Sequence, residues 1–139
     1  MTREIKFRGK ASGTWYFGNL QTRKISRQQS SAWIIGYDES PMLVSVDPST
    51  VGQFTGLYDK NGKEIYEGDV VRLTGKTNET LLFNVDWHKH LCKFYLSFGE
   101  EQKVNDTKTD IFEIMRMGYN YEVIGNIHDN KELIEGGEK

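Results

Sequence analysis

The sequence predicts a mainly β fold: a single small, barrel-like domain with one or two short helices. Three observations favour it. Short segments along the chain alternate apolar with polar residues. Two sharp turn signals, Asn61-Gly62 and Glu67-Gly68-Asp69, lie close together near the middle. The segment from Thr80 to Phe98 carries apolar residues at alternate positions on both arms of a hairpin.

Length and composition set broad limits. The chain has 139 residues, of which 37% are hydrophobic and 12% aromatic. That is enough apolar material for one core, and it argues against a disordered chain. A single cysteine excludes an internal disulfide and is typical of a reducing cytosol. We see no secretory leader and no apolar run of membrane length, so we expect a cytoplasmic protein without membrane contact or cofactor.

The first 46 residues are predicted to form a layer of strands. Ile5 and Phe7 alternate with Lys6 and Arg8, which predicts a half-buried first strand. The other predicted elements follow in order: a second, aromatic strand at 14–20 paired with the first, an exposed mobile loop at 21–31, a third strand at 32–37, a turn at 38–41 and a fourth strand at 42–46.

The stretch from Val46 to Val71 carries the sharpest local signals. Asp47-Pro48 predicts a helix or turn entry in which the Asp47 side chain accepts from the amide of Ser49 or Thr50. Gly52 should end that turn early. The Asn61-Gly62 signal then predicts a hairpin between 54–58 and 64–66, and the Glu67-Gly68-Asp69 turn starts a strand at 70–73.

The order VDPSTVGQFTGLYDKNGKEIYEGDVV in this stretch resembles the pattern of the YopX family of phage and prophage proteins. The opening Ile5–Arg8 segment and the late Glu122–Asn130 segment are similar to that family's first strand and closing segment. The resemblance implies a small, mostly β, barrel-like protein encoded by a phage or prophage and present in the host-cell cytoplasm. It brings no established activity and no catalytic residues. We assign structural roles to the motif positions Asp47, Pro48, Gly52, Gly56, Asn61, Gly62, Gly68, Asp69 and Gly125.

The hairpin at 80–98 is predicted to cover the core. We expect Trp87 opposite Cys92, Val85 opposite Phe94, and a slip of one residue would break the apolar face. In the same register Phe83 faces Leu96 and Leu81 faces Phe98. The remaining predictions are a polar loop at 99–109, a short helix at 110–117 starting at Asp110, a last strand at 121–127 and one helical turn at 129–134.

The predicted layout is one domain over 1–139. It comprises a strand layer at 1–46, the central motif with a small barrel at 47–134, and a frayed tail at 135–139. A strand, a long hairpin and a closing strand after a Glu-Gly-Asp turn also resemble an SH3-like barrel, in architecture alone.

Charge is unevenly distributed along the chain. The net charge is −2, yet residues 1–30 hold seven basic side chains and one acidic one. With Trp15, Tyr16 and Phe17 nearby, this segment could bind nucleic acid, its cations meeting phosphates and a ring stacking on a base. Alternatively, both signs of charge intermix once the chain folds. The candidate nucleic-acid-binding residues are Arg8, Lys10, Arg23, Lys24 and Arg27.

Two further patterns raise the question of catalysis. Asp86, His88 and His90 stand at alternate positions, a spacing that can hold a divalent metal ion, although it equally suits the polar outer face of a hairpin tip. Cys92 could act as a nucleophile with His88 or His90 as its base, but a lone cysteine among apolar residues is more often a small buried hydrophobe. No established catalytic motif is present.

Three functional classes remain. The favoured one is a non-catalytic binding or assembly module that contacts a protein partner or itself, as a homo-oligomer, through strand edges or aromatic patches. The alternatives are a nucleic-acid-binding small barrel and a metal-dependent enzyme around Asp86, His88 and His90.

Overall fold

The computed structural model describes residues 4–36, 43–90, 92–97, 109–110 and 118–133, with the backbone alone at His88, Thr109 and Asp110. Within these ranges the chain is mainly β, as predicted, and its strands form two antiparallel sheets. The strands are β1 Phe7–Ala11, β2 Thr14–Lys24, β3 Ser30–Gly36, β4 Leu43–Tyr58, β5 Glu64–Tyr66, β6 Asp69–Thr74, β7 Thr80–His88, β8 Lys93–Ser97, β9 Thr109–Asp110 and β10 Asn120–Asn126. A 3₁₀ turn follows at Lys131–Leu133.

The chain divides into two compact units, Met1–Gly56 and Leu57–Lys139. The hydrogen-bonded order of the first sheet is β1-β2-β3-β4-β5, and β1 also pairs with β4. Strands β1 to β4 therefore form a closed ring. The first unit has a small apolar core of Ala32, Ile34 and Val46 inside this ring, with partly buried side chains of β1 and β2 packed against it.

Gly18 marks the place where β2 changes partner. Before it, β2 pairs with β1, and after it β2 pairs with β3, where Gly18 lies opposite Gly36. A Cβ atom built at Gly18 would overlap the carbonyl oxygen of Ile35. Glycine is therefore required here, because the two backbones approach too closely for a side chain.

The predicted strands in this unit are confirmed, but two details were wrong. Ile5 precedes β1 and is exposed instead of facing the core. The predicted loop at 21–31 is largely strand, since β2 continues to Lys24 and β3 begins at Ser30, with these two residues paired. Backbone pairing needs no apolar side chain, so this polar hairpin extends beyond the core while its residues stay exposed. The predicted turn at 38–41 lies outside the described residues.

The predicted helical turn at Asp47-Pro48 was also wrong, because β4 runs through it. The predicted Asp47 contact is present: its carboxylate accepts from the Ser49 amide at 3.0 Å. Pairing with β1 shifts register here, and the Lys10 amide donates to the Thr50 hydroxyl at 2.8 Å. Asp47 thus organises a bulge within a strand, because β1 supplies the pairing partner that a helix would exclude.

The second unit contains the other sheet, in the order β10-β6-β7-β8-β9. The two predicted turns are present, and Gly62 and Gly68 have φ angles of 80° and 93° that favour glycine. The predicted strands after them, including the last strand, are confirmed. The buried core of this unit consists of Ile65, Val71, Leu73, Phe83, Val85, Leu96 and Val123.

The 80–97 hairpin forms, but its predicted register was wrong by two residues. Trp87 lies opposite Phe94, and Val85 lies opposite Leu96. The shift keeps the same side chains on one face, since strand faces repeat every two residues. Phe83, Val85 and Leu96 on that face are buried as predicted, whereas Leu81 and Trp87 are 51% and 40% exposed instead of covering the core. The shift arises because the turn extends to Cys92, which has a φ of 51° and cannot continue the ladder.

Helix is scarce in the described residues. Asp110, the predicted start of a short helix, belongs to β9 and pairs with Tyr95; the rest of that predicted helix, the predicted loop before it and the tail lie outside the described residues. The predicted turn at 129–134 is present as the 3₁₀ turn. No helix in the described part is both long and apolar enough to cross a membrane.

Candidate binding site on the β2–β3 hairpin

The loop joining β2 and β3, residues 25–29, is fixed by its own hydrogen bonds. The amides of Ile25 and Ser26 donate to the Gln29 carbonyl at 2.9 and 3.1 Å. The Ser26 hydroxyl in turn accepts from the amides of Gln28 and Gln29 at 3.3 and 3.1 Å. A serine oxygen that satisfies turn amides is a common local device, and here it gives a polar loop a defined backbone.

A concave surface of about 440 Å³ lies beside this loop, and we call it the hairpin cleft. It is lined by Arg23, Lys24, Ile25, Ser31 and Trp33. The hydroxyl of Ser31 donates to the Arg23 carbonyl at 3.3 Å and so ties the two strands together at the cleft. Its volume is within the range of small-ligand sites, roughly 300–1,000 Å³.

Strand alternation explains why the cleft is partly apolar. Ala32 and Ile34 point into the core at 3% and 0% exposure, which turns Trp33 to the outer face between them. Ile25, at the start of the loop, is 61% exposed. The exposed sec-butyl side chain of Ile25 and the accessible part of the half-buried Trp33 indole cost hydration free energy unless a ligand covers them.

The hairpin segment that carries the cleft, residues 21–31, has charge of one sign. Arg23, Lys24 and Arg27 are exposed, and residues 21–31 contain no acidic side chain. None of the ion pairs found among the described residues involves these three cations. Neighbouring charges of one sign raise the local potential and attract anions.

The five predicted nucleic-acid-binding residues fall into two groups. Arg23, Lys24 and Arg27 lie on the hairpin, whereas Arg8 and Lys10 lie on β1 near the other end of β2. The Arg8 guanidinium carbon is 4.7 Å from the Trp15 ring centroid, and Lys10 Nζ is 5.8 Å from the same centroid. Arg8 is only 7% exposed, so it offers little surface to a phosphate.

Trp15 and Arg23 are separated by roughly 26 Å of strand at about 3.3 Å per residue. One short ligand in the hairpin cleft would therefore not contact both groups. The structure brings together three of the five predicted residues, along with an indole that the sequence analysis did not single out.

The candidate metal ligands are less well placed. His90 lies in the exposed turn after β7, and the Asp86 carboxylate accepts from the Trp87 amide at 2.8 Å and from the Tyr95 hydroxyl at 3.1 Å. Burial, followed by the nearby Asp86 charge and hydrogen bond, raises the pKa of Tyr95. Among the residues with described side chains, which exclude His88, no three His, Cys, Asp or Glu side chains form a possible metal site.

The prediction that Cys92 is buried was wrong. Its side chain is exposed in the turn between β7 and β8, and Sγ lies 3.5 Å from the Lys89 carbonyl oxygen. Cys92 lies outside the core because the observed hairpin register differs from the predicted register by two positions. Phe94 takes its place opposite Trp87, with ring centroids 4.9 Å apart in an edge-to-face arrangement.

Comparison with known proteins identifies the family. The family model described as YopX protein matches residues 6–135, nearly the whole chain. The chain belongs to the YopX family. It is also similar in fold to protein EF1440 from Enterococcus faecalis, whose crystal structure matches with a TM-score of 0.51 and 23% sequence identity, over 96% of this chain and 100% of that one. No curated protein sequence matches significantly.

Within the YopX motif, the Asp59 carboxylate accepts three backbone hydrogen bonds. Its Oδ1 accepts from the amides of Asn61 and Lys63 at 2.8 and 2.9 Å, and its Oδ2 accepts from the Val123 amide at 2.9 Å. Burial alone would raise the pKa of Asp59, but the hydrogen bonds from Val123, Lys63 and Asn61, with the Lys63 charge, lower it. One carboxylate thus joins the hairpin turn to β10.

Glu122, next to Val123, reinforces this connection. Its Oε2 accepts from Arg72 at 2.6 Å and lies 3.6 Å from Lys60 Nζ, while Oε1 accepts from the Asn61 side chain at 3.3 Å. The hydrogen bond from Arg72 is the main cause that lowers the pKa of Glu122, with the Lys60 charge adding to it. Polar residues of the YopX motif therefore hold its turn against the last strand.

Other motif positions shape the backbone. The Asp69 carboxylate accepts from the Tyr66 amide at 2.7 Å and closes the turn that contains Gly68. Pro48 is exposed in the bulge, Gly52 is buried opposite Arg8, Gly56 has a φ of 87°, and Gly125 lies at the register shift between β10 and β6.

Sequence analysis missed the roles of Asp59 and Trp33. Asp59 had a local signal, because an aspartate two positions before an Asn-Gly pair often accepts from turn amides. Trp33 also had one, since the alternation with Ala32 and Ile34 turns it outward. Nothing local indicated that β2 would extend far enough to place Arg23 beside Trp33.

Proposed function

We propose that this YopX-family chain is a non-catalytic binding module of phage or prophage origin, acting in the host-cell cytoplasm, and that it binds an anionic ligand at the hairpin cleft. The observation that carries the proposal is the combination of basic side chains with a partly exposed apolar surface on one hairpin. Arg23 and Lys24 line a cleft that also contains the exposed Ile25 and the half-buried Trp33, and Arg27 is exposed in the adjoining loop. A surface of this composition suits a ligand with both negative charge and flat apolar groups.

The finer architecture belongs to the same proposal. We propose that the whole chain is one YopX-like domain with the character of a small β-barrel, either SH3-like or with a more complex strand arrangement. The closed ring of β1 to β4 supports barrel character in the first unit. Small barrels commonly present a strand face and its loops to a ligand, which is the position of the hairpin cleft.

Binding of inorganic polyphosphate tests the proposed anion site without assuming the rest of the ligand. Fluorescein-labelled polyphosphate is titrated with the full chain across a salt series, and anisotropy is recorded. We expect binding that weakens as salt rises, because each cation that meets a phosphate releases counterions. Reversal of the hairpin charges by Arg23→Glu, Lys24→Glu and Arg27→Glu should abolish it.

A matched variant separates the site from net charge. Lys76→Glu, Lys89→Glu and Lys131→Glu change the charge by the same amount at exposed positions of the second unit. This variant should keep most of the binding. Equal loss in both variants, or no polyphosphate binding at low salt, would refute the hairpin cleft as an anion site.

A further inference from the structure

We infer that the ligand of the hairpin cleft is single-stranded nucleic acid, with one base stacked on Trp33 and adjacent phosphates held by Arg23, Lys24 and Arg27. This inference rests on the proposed function and adds the chemical class of the ligand. It assigns a role to Trp33 that anion binding alone does not require.

The register of the hairpin places the stacking group beside a cation. Gln21 pairs with Trp33 and Arg23 pairs with Ser31 on the same outer face. Arg23 is therefore diagonal to Trp33, and such diagonal neighbours are roughly 7 Å apart. One nucleotide has its base at one end and its phosphate at the other, so it can contact both side chains together.

The other residues of the hairpin support the same ligand. Ile25 supplies an apolar edge for a base or sugar, and Lys24 lies at the end of β2 on the rim of the cleft. Arg27 does not line the cleft, but it is exposed in the loop that Ser26 fixes, where it can meet a neighbouring phosphate. Nucleic-acid grooves that read no sequence combine these elements: cations along the backbone and an aromatic platform for the bases.

A single strand fits better than a duplex because of the indole. Duplex bases are stacked on one another and expose only their edges, so their faces are not available to Trp33. Bases of a single strand present their faces, and stacking on an aromatic side chain tolerates any sequence. Single-stranded DNA and RNA share this chemistry, so the experiment uses one probe of each kind.

The test compares five labelled probes of equal length with the full chain: oligo-dT, oligo-rU, an abasic phosphodiester strand, a DNA duplex and polyglutamate. We expect dT or rU to bind about five-fold or more tightly than the abasic strand, as one stacked base allows. A plot of the logarithm of affinity against the logarithm of salt concentration should have a slope of about −2. Each phosphate contact of a single strand contributes about −0.7 to this slope, and three cations make three such contacts.

Variants at Trp33 provide the specific readout. Trp33→Ala should bind dT no better than the abasic strand, while Trp33→Phe, which keeps an aromatic face, should retain most of the difference. Quenching of tryptophan fluorescence by dT should be seen in the wild type and be lost in Trp33→Phe, although Trp15 and Trp87 remain. Circular dichroism confirms that each variant is folded before its binding is compared.

The outcomes separate this inference from the proposed function. Equal binding of dT, rU and the abasic strand, with polyphosphate also bound, refutes base stacking and leaves the anion site standing. Tighter duplex binding refutes the single-strand preference. Polyglutamate binding as tightly as dT would assign the cleft to an acidic protein partner instead, and absence of binding to every probe would refute both proposals.

Discussion

Replacement of Asp59 by asparagine tests how the YopX motif stabilises the second unit. The change keeps the size of the side chain but removes its charge and one acceptor. The amide oxygen can still accept from Asn61 and Lys63, where Oδ1 now accepts at 2.8 and 2.9 Å. Its NH₂ group then faces the Val123 amide, so two donors meet where a 2.9 Å hydrogen bond stood.

The structure gives the expected size of the effect. Hydrogen bonds to a charged partner contribute ~1.5–3 kcal/mol, and neutral ones ~0.5–1.5 kcal/mol. One bond is lost and two are weakened, so Asp59→Asn should lower the free energy of unfolding by about 3 kcal/mol. Asp59→Ala, which removes all three bonds at a residue only 6% exposed, should cost more.

Urea unfolding followed by circular dichroism measures this loss, and hydrogen exchange of the Val123 amide locates it. The pH dependence provides a second check. Because the pKa of Asp59 is lowered from its ordinary 3.8, its contribution is complete above that pH and is lost as pH falls through the folded-state pKa. The difference between wild type and Asp59→Asn should therefore be constant near pH 7 and shrink below about pH 3.8.

Asp129→Asn serves as the matched control, because it makes the same chemical change at an exposed aspartate. We expect the control to change the unfolding free energy by less than ~0.5 kcal/mol. If Asp59→Asn were as mild as the control, or if its effect persisted unchanged at pH 2, the carboxylate would not be what joins the turn to β10.

Three other predictions follow from local geometry. Gly18→Ala should strongly lower the melting temperature of the first unit, by the equivalent of ~2 kcal/mol or more, because the new Cβ would overlap the opposite backbone. Gly36→Ala is the control and should be mild, since no atom lies within 4 Å of the new Cβ. Similar melting temperatures for the two variants would contradict this prediction. Arg72→Ala should raise the pKa of Glu122 towards its ordinary 4.5, as followed by carbon-13 NMR, and an unchanged pKa would exclude Arg72 as the main cause. Cys92 should react with a thiol reagent in the folded protein, and reaction only after unfolding would show that it is buried after all.

Local chemistry determined the turns and the faces of the strands. Gly62 and Gly68 fix the central turns because few residues other than glycine adopt their positive φ angles, so the sequence alone predicts them. Alternation likewise predicted that Val85 and Phe83 face the core. The same local signals contributed to the family resemblance, since the motif from Val46 to Val71 contains both central turns.

Local sequence signals did not determine which residues of neighbouring strands pair. In the 80–97 hairpin the register is shifted by two residues from the prediction, which places Cys92 in the turn. Alternation could not reveal this shift, because moving a strand by two residues leaves the same side chains on each face. Asp47-Pro48 has the composition of a helix start, yet β1 pairs with that segment and holds it in a strand. In both places the competing arrangements differ in their long-range partners and not in their local preferences.

The candidate site likewise depends partly on local sequence and partly on the tertiary structure. The sequence by itself determined that residues 21–31 are basic and without acidic side chains, and it predicted their exposure, which the structure shows for residues 21–30. Only the tertiary structure decided that β2 extends along β3, which brings Arg23 and Lys24 beside Trp33, and that Arg8 packs on Trp15 instead of facing solvent. Charge and alternation are properties of neighbouring residues, whereas a cleft depends on which distant backbones pair, and that choice is made by the whole fold.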